Sequence, residues 1–305
     1  MTAAQATDGA AKLRVGMVGI GMMGHGIASN LSRHGHALRL FEHPGNQPLD
    51  ALKAAGATGY SSARALAADS EVVILVLTGS AQVEQVLCGA DGVLEGLKPG
   101  SIVIDCSTSM PESTRRMAQQ VQARGSQLLD APMTRTPKEA AEGRLNLLVG
   151  GDAAVLDRCR PLLSCFAENI AHAGPTGAGH SLKLLHNFVS LGMVTLLAEA
   201  AACATRSGVA PAAFVDVLAQ GGAAGVALER MRPFLLEGDP RGLRFVVDNA
   251  RKDLSYYHAM AGDAGARRPI AAVLLQVMQD MVAAGHGLAM VPSLAQLMTD
   301  APAPR

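Results

Sequence analysis

Three groups of residues in this sequence have types and spacings that could do chemistry. Gly19-Ile-Gly21-Met22-Met23-Gly24 follows a short β-branched run and opens a helix-period segment. In that setting the first glycine permits a tight turn, and the second lets a pyrophosphate approach backbone N–H groups at a helix N-terminus. The third permits close packing of helix on strand. Glu42 ends the next apolar run, and an acidic side chain there accepts hydrogen bonds from a ribose with a free 2′-hydroxyl. No Arg or Lys falls between Glu42 and Lys53, so a 2′-phosphate would meet repulsion, relieved only by His43 when protonated. Together these residues favour NAD over NADP. The third group is Lys183 and Asn187, four apart in a helix-period stretch and therefore one turn apart on one face. One site could use both, although such a pair taken alone is more often an exposed polar face.

These groups need elements to position them. From Arg14 to about residue 175, β-branched runs alternate with helical segments, the pattern of a parallel sheet with crossover helices. The strand candidates are Arg14–Val18, Ala37–Phe41, Glu71–Leu77, Ser101–Asp105, Gln127–Asp130, Leu145–Val149 and Asn169–Ala171, with Met22–His34, Pro111–Arg124 and Ala153–Leu163 among the helices. Right-handed crossovers then give an α/β fold, a Rossmann-type doubly wound sheet with ligands at the carboxyl ends of its strands. After Gly179 the texture becomes long Ala- and Leu-rich helices with no convincing strand, and 180–207 is long enough to be one continuous interdomain helix. The expected domains are 12–176, binding a dinucleotide, and 177–300, all-α, for substrate and dimerisation. A single large α/β domain is the alternative at 305 residues.

Composition bounds the function. Lys plus Arg and Asp plus Glu both number 26, so there is no net field for nucleic acid or an anionic membrane. The five cysteines are scattered without close pairs, which predicts reduced thiols in a cytoplasmic protein and no zinc site; the histidines form no metal constellation either. The first eleven residues lack an apolar core and read as a loose tail rather than a signal peptide. The longest apolar stretch, 189–204, is interrupted by Glu199 and shorter than the roughly 20 residues that span a bilayer.

Six landmarks occur in order: the glycine turn with Ala28-Ser-Asn-Leu31 after it, Asp105-Cys-Ser-Thr108, Asp130-Ala-Pro132, Gly174-x-x-Gly-x-Gly179, Lys183-x-x-x-Asn187, and Phe245-x-x-Asp248-x-x-x-Lys252-Asp-Leu254. Over about residues 14 to 298 the chain thereby resembles the β-hydroxyacid dehydrogenases, which include 3-hydroxyisobutyrate dehydrogenase and the tartronate semialdehyde and sulfolactaldehyde reductases. The resemblance implies that Lys183 is the general acid and base, with a pKa lowered by burial beside the cofactor. Asn187 would bind substrate or Lys183. Ser107 and Thr108 would lie near nicotinamide and substrate, Leu77 and Thr78 would flank the cofactor, and Lys252 would line the cleft. Asp248 reads as structural, Gly221-Gly222 as a small-residue turn at the pocket, and His186 stands where a second Asn is common.

The family usually carries Ser-Gly-Gly after Asp-Ala-Pro to receive the substrate carboxylate; here the run is Thr134-Arg135-Thr136. An arginine fork in an anion pocket predicts a more strongly anionic substrate, and the run is similar to the Gly-Arg-Thr of sulfolactaldehyde reductases. A solvent-exposed loop arginine is the alternative. The expected reaction interconverts a small anionic β-hydroxy acid and its semialdehyde with NAD, in a homodimer or homotetramer. Competing readings are an NADPH-dependent semialdehyde or imine-type reductase, and a nicotinamide-binding sensor without turnover.

Overall fold

The computed structural model describes residues 12–300. Residues up to Lys183 form one compact unit and those from Leu184 a second. The division falls inside a helix, later in the chain than the turn at 174–179 where the texture of the sequence changes.

The first unit alternates strand and helix. In chain order it runs β1 (Arg14–Val18), α1 (Met22–Arg33), β2 (Ala37–Phe41), α2 (Asp50–Ala54), β3 (Thr58–Tyr60), α3 (Ala63–Ala68), β4 (Val72–Leu75), α4 (Ser80–Cys88), α5 (Val93–Gly96) and β5 (Ile102–Asp105). It continues with α6 (Pro111–Gln122), β6 (Gln127–Asp130), β7 (Met133–Thr134), α7 (Pro137–Glu142), β8 (Leu145–Gly150), α8 (Ala153–Leu163) and β9 (Ala167–Gly174). The strands lie in the order β3-β2-β1-β4-β5-β6-β8-β7, and β9 pairs with β8. The first six are parallel, β8 runs antiparallel to β6 and β7, and β9 is parallel to β8. The chain leaves β1 toward β2 and returns past it to β4, so the sheet reverses direction between β1 and β4. Ligands of such sheets lie at the carboxyl ends of the strands flanking that reversal.

Alternation along each strand builds two cores. Val15 and Met17 of β1, Val72 and Ile74 of β4, and Ile102 and Ile104 of β5 pack with Ile27 and Leu31 of α1 and Leu156 and Leu163 of α8. Val18, Val73, Leu75 and Val103 point the other way, onto Leu66, Val83, Met117 and Val121. With both faces covered, the strands read as nearly continuous apolar runs, which made them legible. Two strands escaped the sequence reading: β3 has three residues including a glycine, and β7 has two. Glu71–Leu77 is trimmed to Val72–Leu75, because Val76 and Leu77 already belong to the loop at the strand's carboxyl end.

Helices α1 and α7 are joined closely. A Cβ on Gly26 would stand 2.7 Å from the Ala140 carbonyl carbon. The Asn30 Nδ2 amide donates to the Gly26 oxygen at 2.9 Å and to the Ala140 oxygen at 2.8 Å.

α9 (Ala178–Arg206) runs from the first unit into the second. Its 29 residues exceed the expected apolar stretch of 189–204, and by length and hydropathy it could cross a bilayer. Within the second unit, however, Leu191, Val194, Leu197, Ala198 and Ala201 pack into a helical core with Leu228, Met231, Val247, Leu254, Leu274 and Met278. These come from α11 (Val226–Glu237), α12 (Val247–Asp263) and α13 (Pro269–Ala283), which with α10 (Pro211–Ala219) and α14 (Leu294–Asp300) complete the unit. Its described residues hold one isolated bridge, Val246 with Met290, and no named strand.

Candidate active site

The turn after β1 explains each of its glycines differently. Gly19 has φ +90°, and a Cβ there would stand 2.2 Å from the Val76 carbonyl oxygen of the β4 loop. A Cβ on Gly24 would stand 2.0 Å from the Gly19 oxygen. Gly21 is different: its φ is −75°, and among the described residues, its chain neighbours aside, no atom lies within 4 Å of the position its Cβ would take. Neither strain nor packing asks for glycine there, and the missing side chain leaves the N-terminus of α1 open. α1 begins at this point with no side-chain cap and no acidic residue in its first turn. Its leading amides are thus available to an anion, reinforced by the helix dipole. The residues present fit a dinucleotide pyrophosphate. Met22 is exposed and Met23 partly so.

Asn46 braces this turn, accepting from the Ile20 N–H at 3.2 Å and donating to the Phe41 oxygen at 2.9 Å. Glu42 follows β2, and Gly59 on β3 makes room for its carboxylate, since a Cβ there would stand 2.0 Å from Oε1. The absence of a cation close in sequence to Glu42 does not carry over into space. Lys53 on α2 reaches back to Glu42 Oε1 at 2.5 Å, because the loop of residues 43–49 folds the two together. Both belong to the wall of a shallow recess of about 370 Å³, with His43, Asn46 and Gln47.

Ser107 is buried and joins two strand ends. Its N–H donates to Asp105 Oδ1 at 2.9 Å, and its hydroxyl accepts from the Leu77 N–H at 2.9 Å. Thr78 is exposed and Thr108 partly so. At the end of β6, Asp130 caps α9: Oδ1 accepts from the Gly177 N–H at 2.8 Å and Oδ2 from the His180 N–H at 2.9 Å. A carboxylate at a helix N-terminus satisfies amides that have no intrahelical acceptor and faces the positive end of the dipole. Gly179 seats this turn directly on the sheet, where a Cβ would stand 2.3 Å from the Leu148 oxygen. Lys183 lies one turn further along α9 and is partly buried.

Each residue of the 134–136 run has a partner within the first unit. Thr134 Oγ1 accepts from Asn146 Nδ2 at 3.1 Å. Thr136 caps α7, its hydroxyl accepting from the Lys138 N–H while Glu139 accepts from the Thr136 N–H, and the Thr136 hydroxyl bond holds the Glu139 carboxyl below its ordinary pKa. Arg135 has φ +81°, a conformation that favours glycine and so accounts for the glycine usual there in the family. Its guanidinium binds the Arg144 oxygen and pairs with Glu168, whose carboxyl the Arg135 hydrogen bond holds below its ordinary pKa.

In the second unit Asn187 Nδ2 donates to Asp253 Oδ2 at 2.7 Å, and Asp253 Oδ1 lies 2.9 Å from Lys252 Nζ, an ion pair without hydrogen-bond alignment. Lys252 Nζ also stands 5.3 Å from the centroid of the Tyr256 ring. His186 Nδ1 lies 3.0 Å from Asn187 Oδ1. The sequence reading chose Asn187 and Lys252 without the buried Asp253 that joins them, although Asp253 stands inside the Lys252-Asp-Leu254 landmark. It gave no contact to Asp130, His180, Asn46 or Lys53, whose partners only the fold brings near. Among the described residues no cluster of three or more His, Cys, Asp or Glu could hold a metal ion. All five cysteines are free thiols, and burial raises the pKa of Cys159 to about 11.

Comparison with known proteins places the chain. The NAD binding domain of 6-phosphogluconate dehydrogenase matches residues 14–174, and the NAD-binding region of NADP-dependent 3-hydroxyisobutyrate dehydrogenase matches residues 177–297. The chain belongs to the β-hydroxyacid dehydrogenase family. This family member is 31% identical to the NAD-dependent L-serine dehydrogenase of Pseudomonas aeruginosa, over 90% of its own length and 93% of the relative's. It is 34% identical to the 3-sulfolactaldehyde reductase of Escherichia coli, over 90% and 91%. The solved 3-hydroxyisobutyrate dehydrogenase of Salmonella typhimurium superposes with a TM-score of 0.83 at 29% identity, covering 94% of this chain and 100% of that one. The chain is therefore an oxidoreductase of the NAD(P)-dependent hydroxyacid dehydrogenase type.

Proposed function

We propose that this oxidoreductase is NAD-linked and interconverts a small anionic β-hydroxy acid and its semialdehyde, with Lys183 as general acid and base. The observation that carries the reading is the seat of Lys183. Asp130 and Gly179 fix the first turn of α9 to the carboxyl end of β6, on the edge of the sheet where the Gly19–Gly24 turn receives the cofactor. When bound, NADH supplies the hydride that adds to the substrate's carbonyl carbon. The Lys183 ammonium gives its proton to the carbonyl oxygen as the hydride arrives, in one coupled step; in the oxidative direction the neutral amine takes the hydroxyl proton. Asn187, oriented by Asp253, hydrogen-bonds the substrate oxygen. Ser107, Thr134 and Thr136 receive the carboxylate, and Arg135 a second anionic group that displaces Glu168. Leu77, Thr78, Thr108 and Lys252 flank the cofactor.

Lys53 favours a second reading of the cofactor. It neutralises Glu42 and offers a cation to a 2′-phosphate, so NADP remains the competitor to NAD. Self-association is supported by an exposed stripe on α9, Leu182, Leu185, Val189, Met193 and Leu196, and five free thiols suit the cytoplasm.

The test is turnover of NADH and NADPH against sulfolactaldehyde, tartronate semialdehyde and succinic semialdehyde, and of NAD against 3-hydroxyisobutyrate and L-serine. Lys183→Ala is expected to lower kcat at least ~10²-fold, and Arg135→Ala chiefly to raise KM for a doubly anionic substrate. Cofactor binding without turnover of any compound, or a Lys183→Ala variant as active as wild type, overturns the reading.

A further inference from the structure

The imidazole of His180 is fully buried in the first unit, and the mechanism above gives it no part. Its backbone N–H is spent on Asp130, but its ring looks elsewhere. Nε2 lies 3.1 Å from the Ser107 carbonyl oxygen and Nδ1 lies 2.7 Å from Thr114 Oγ1 on α6. A carbonyl oxygen only accepts, so Nε2 carries a hydrogen and donates it. With Nε2 the donor, Nδ1 is the acceptor, and the Thr114 hydroxyl, which also lies 3.1 Å from the Met110 oxygen, donates to it. Asp105 Oδ2 and Asp130 Oδ2 flank the ring, each 3.9 Å from one ring nitrogen.

The position of this ring matters because of what it joins. The Ser107 peptide is held at three points: its N–H by Asp105, its hydroxyl by the Leu77 N–H, and its oxygen by His180. The ends of β4 and β5, the start of α6 and the first turn of α9 thus meet at one imidazole. Lys183, three residues after His180, lies on the same side of α9 one turn on.

We propose that His180 is a positioning residue for Lys183: through its Nε2–H bond to the Ser107 carbonyl it sets the height of the α9 turn against the strand ends that flank the cofactor. Asp130 keeps the helix capped without the ring, so the helix survives its loss while the register slackens. Proton delivery to a carbonyl oxygen is steep in distance, and a misplacement of about 1 Å can cost ~10²-fold in rate. The inference rests on Lys183 acting as acid and base.

Two substitutions divide the ring's bonds. His180→Gln sets its amide N–H near the place of Nε2 and keeps the Ser107 bond, whereas His180→Asn reaches only toward Thr114. His180→Asn is expected to lower kcat by ~10- to 100-fold, with the NADH dissociation constant unchanged. The deuterium isotope effect on kcat with [4-²H]NADH is expected to rise, because a slowed hydride step becomes limiting; mere loss of folded enzyme would leave it unchanged. His180→Gln is expected to stay within ~3-fold of wild type, well short of that loss. A His180→Asn enzyme with wild-type kcat, or Gln and Asn variants falling equally with an unchanged isotope effect, overturns the proposal. Hydrogen exchange reads the same register without turnover: amides of the first turn of α9 and of residues 105–108 should exchange faster in His180→Asn than in His180→Gln, and equal rates overturn the proposal. Failure of the parent reading looks different, since it leaves wild type inactive or Lys183→Ala fully active.

Discussion

Two helices start in the first unit at the carboxyl edge of the same sheet, each after a glycine-rich turn, and their first turns are used in opposite ways. The start of α1 has no side-chain cap, no acid in its first turn, and open space where Gly21 would carry a side chain. The start of α9 is capped by Asp130, pressed onto the Leu148 carbonyl through Gly179, and plugged by the buried ring of His180. The amides of the first are left without a side-chain acceptor, and those of the second are spent on the Asp130 carboxylate. A glycine-rich helix start therefore signals anion binding only where no carboxylate of the protein already occupies it.

The largest effect that would break this contrast lies at α9. Asp130→Ala removes the acceptor of two buried N–H groups, and a loss of about 3 kcal/mol in unfolding free energy is expected by thermal or denaturant melting. A loss below about 1 kcal/mol would mean that the cap is dispensable. Gly21→Val fills the open space at α1, and NADH affinity measured by fluorescence titration should fall about 10²-fold, worth about 2.7 kcal/mol. Its stability cost should stay within about 1 kcal/mol, since the described residues leave that space open. Equal damage to folding and binding would erase the distinction between the two turns.

Smaller effects sharpen it. Lys53→Met leaves Glu42 without its cation, and the ratio of NAD to NADP efficiency should rise by about tenfold, or ~1.4 kcal/mol. An unchanged ratio would remove both residues from the ribose site. The smallest effect concerns the backbone of Arg135. Arg135→Gly and Arg135→Ala both lose the pair with Glu168, but only glycine accepts φ +81° without strain, so the glycine variant should be the more stable by about 1 kcal/mol in paired denaturant melts.

The same contrast marks what could be read from the residues. Strands buried on both faces announce themselves as apolar runs, and the glycine turn is local, with all its parts inside six residues. Lys183 and Asn187 are likewise bound by helical period. Asp130 and His180 are not, because their meaning lies in acceptors and donors 47 to 73 residues away that only the folded sheet brings near. The salt bridge of Lys53 to Glu42 depends on the path of a loop, and no periodicity encodes a loop path. Arg135 was legible as an arginine in a family's glycine position, yet its left-handed backbone and its attachment to Glu168 were not.

The close union of α1 with α7 has a mechanical consequence. α1 begins at the glycine turn proposed to receive the pyrophosphate, and α7 is capped by Thr136, the end of the loop proposed for the substrate. With Gly26 against Ala140 and Asn30 bonded to both helices, the pair ties the glycine turn to the 134–136 loop. If the two ends bind as proposed above, a compulsory order is the expected outcome, the dinucleotide entering first and leaving last, and product-inhibition patterns check it.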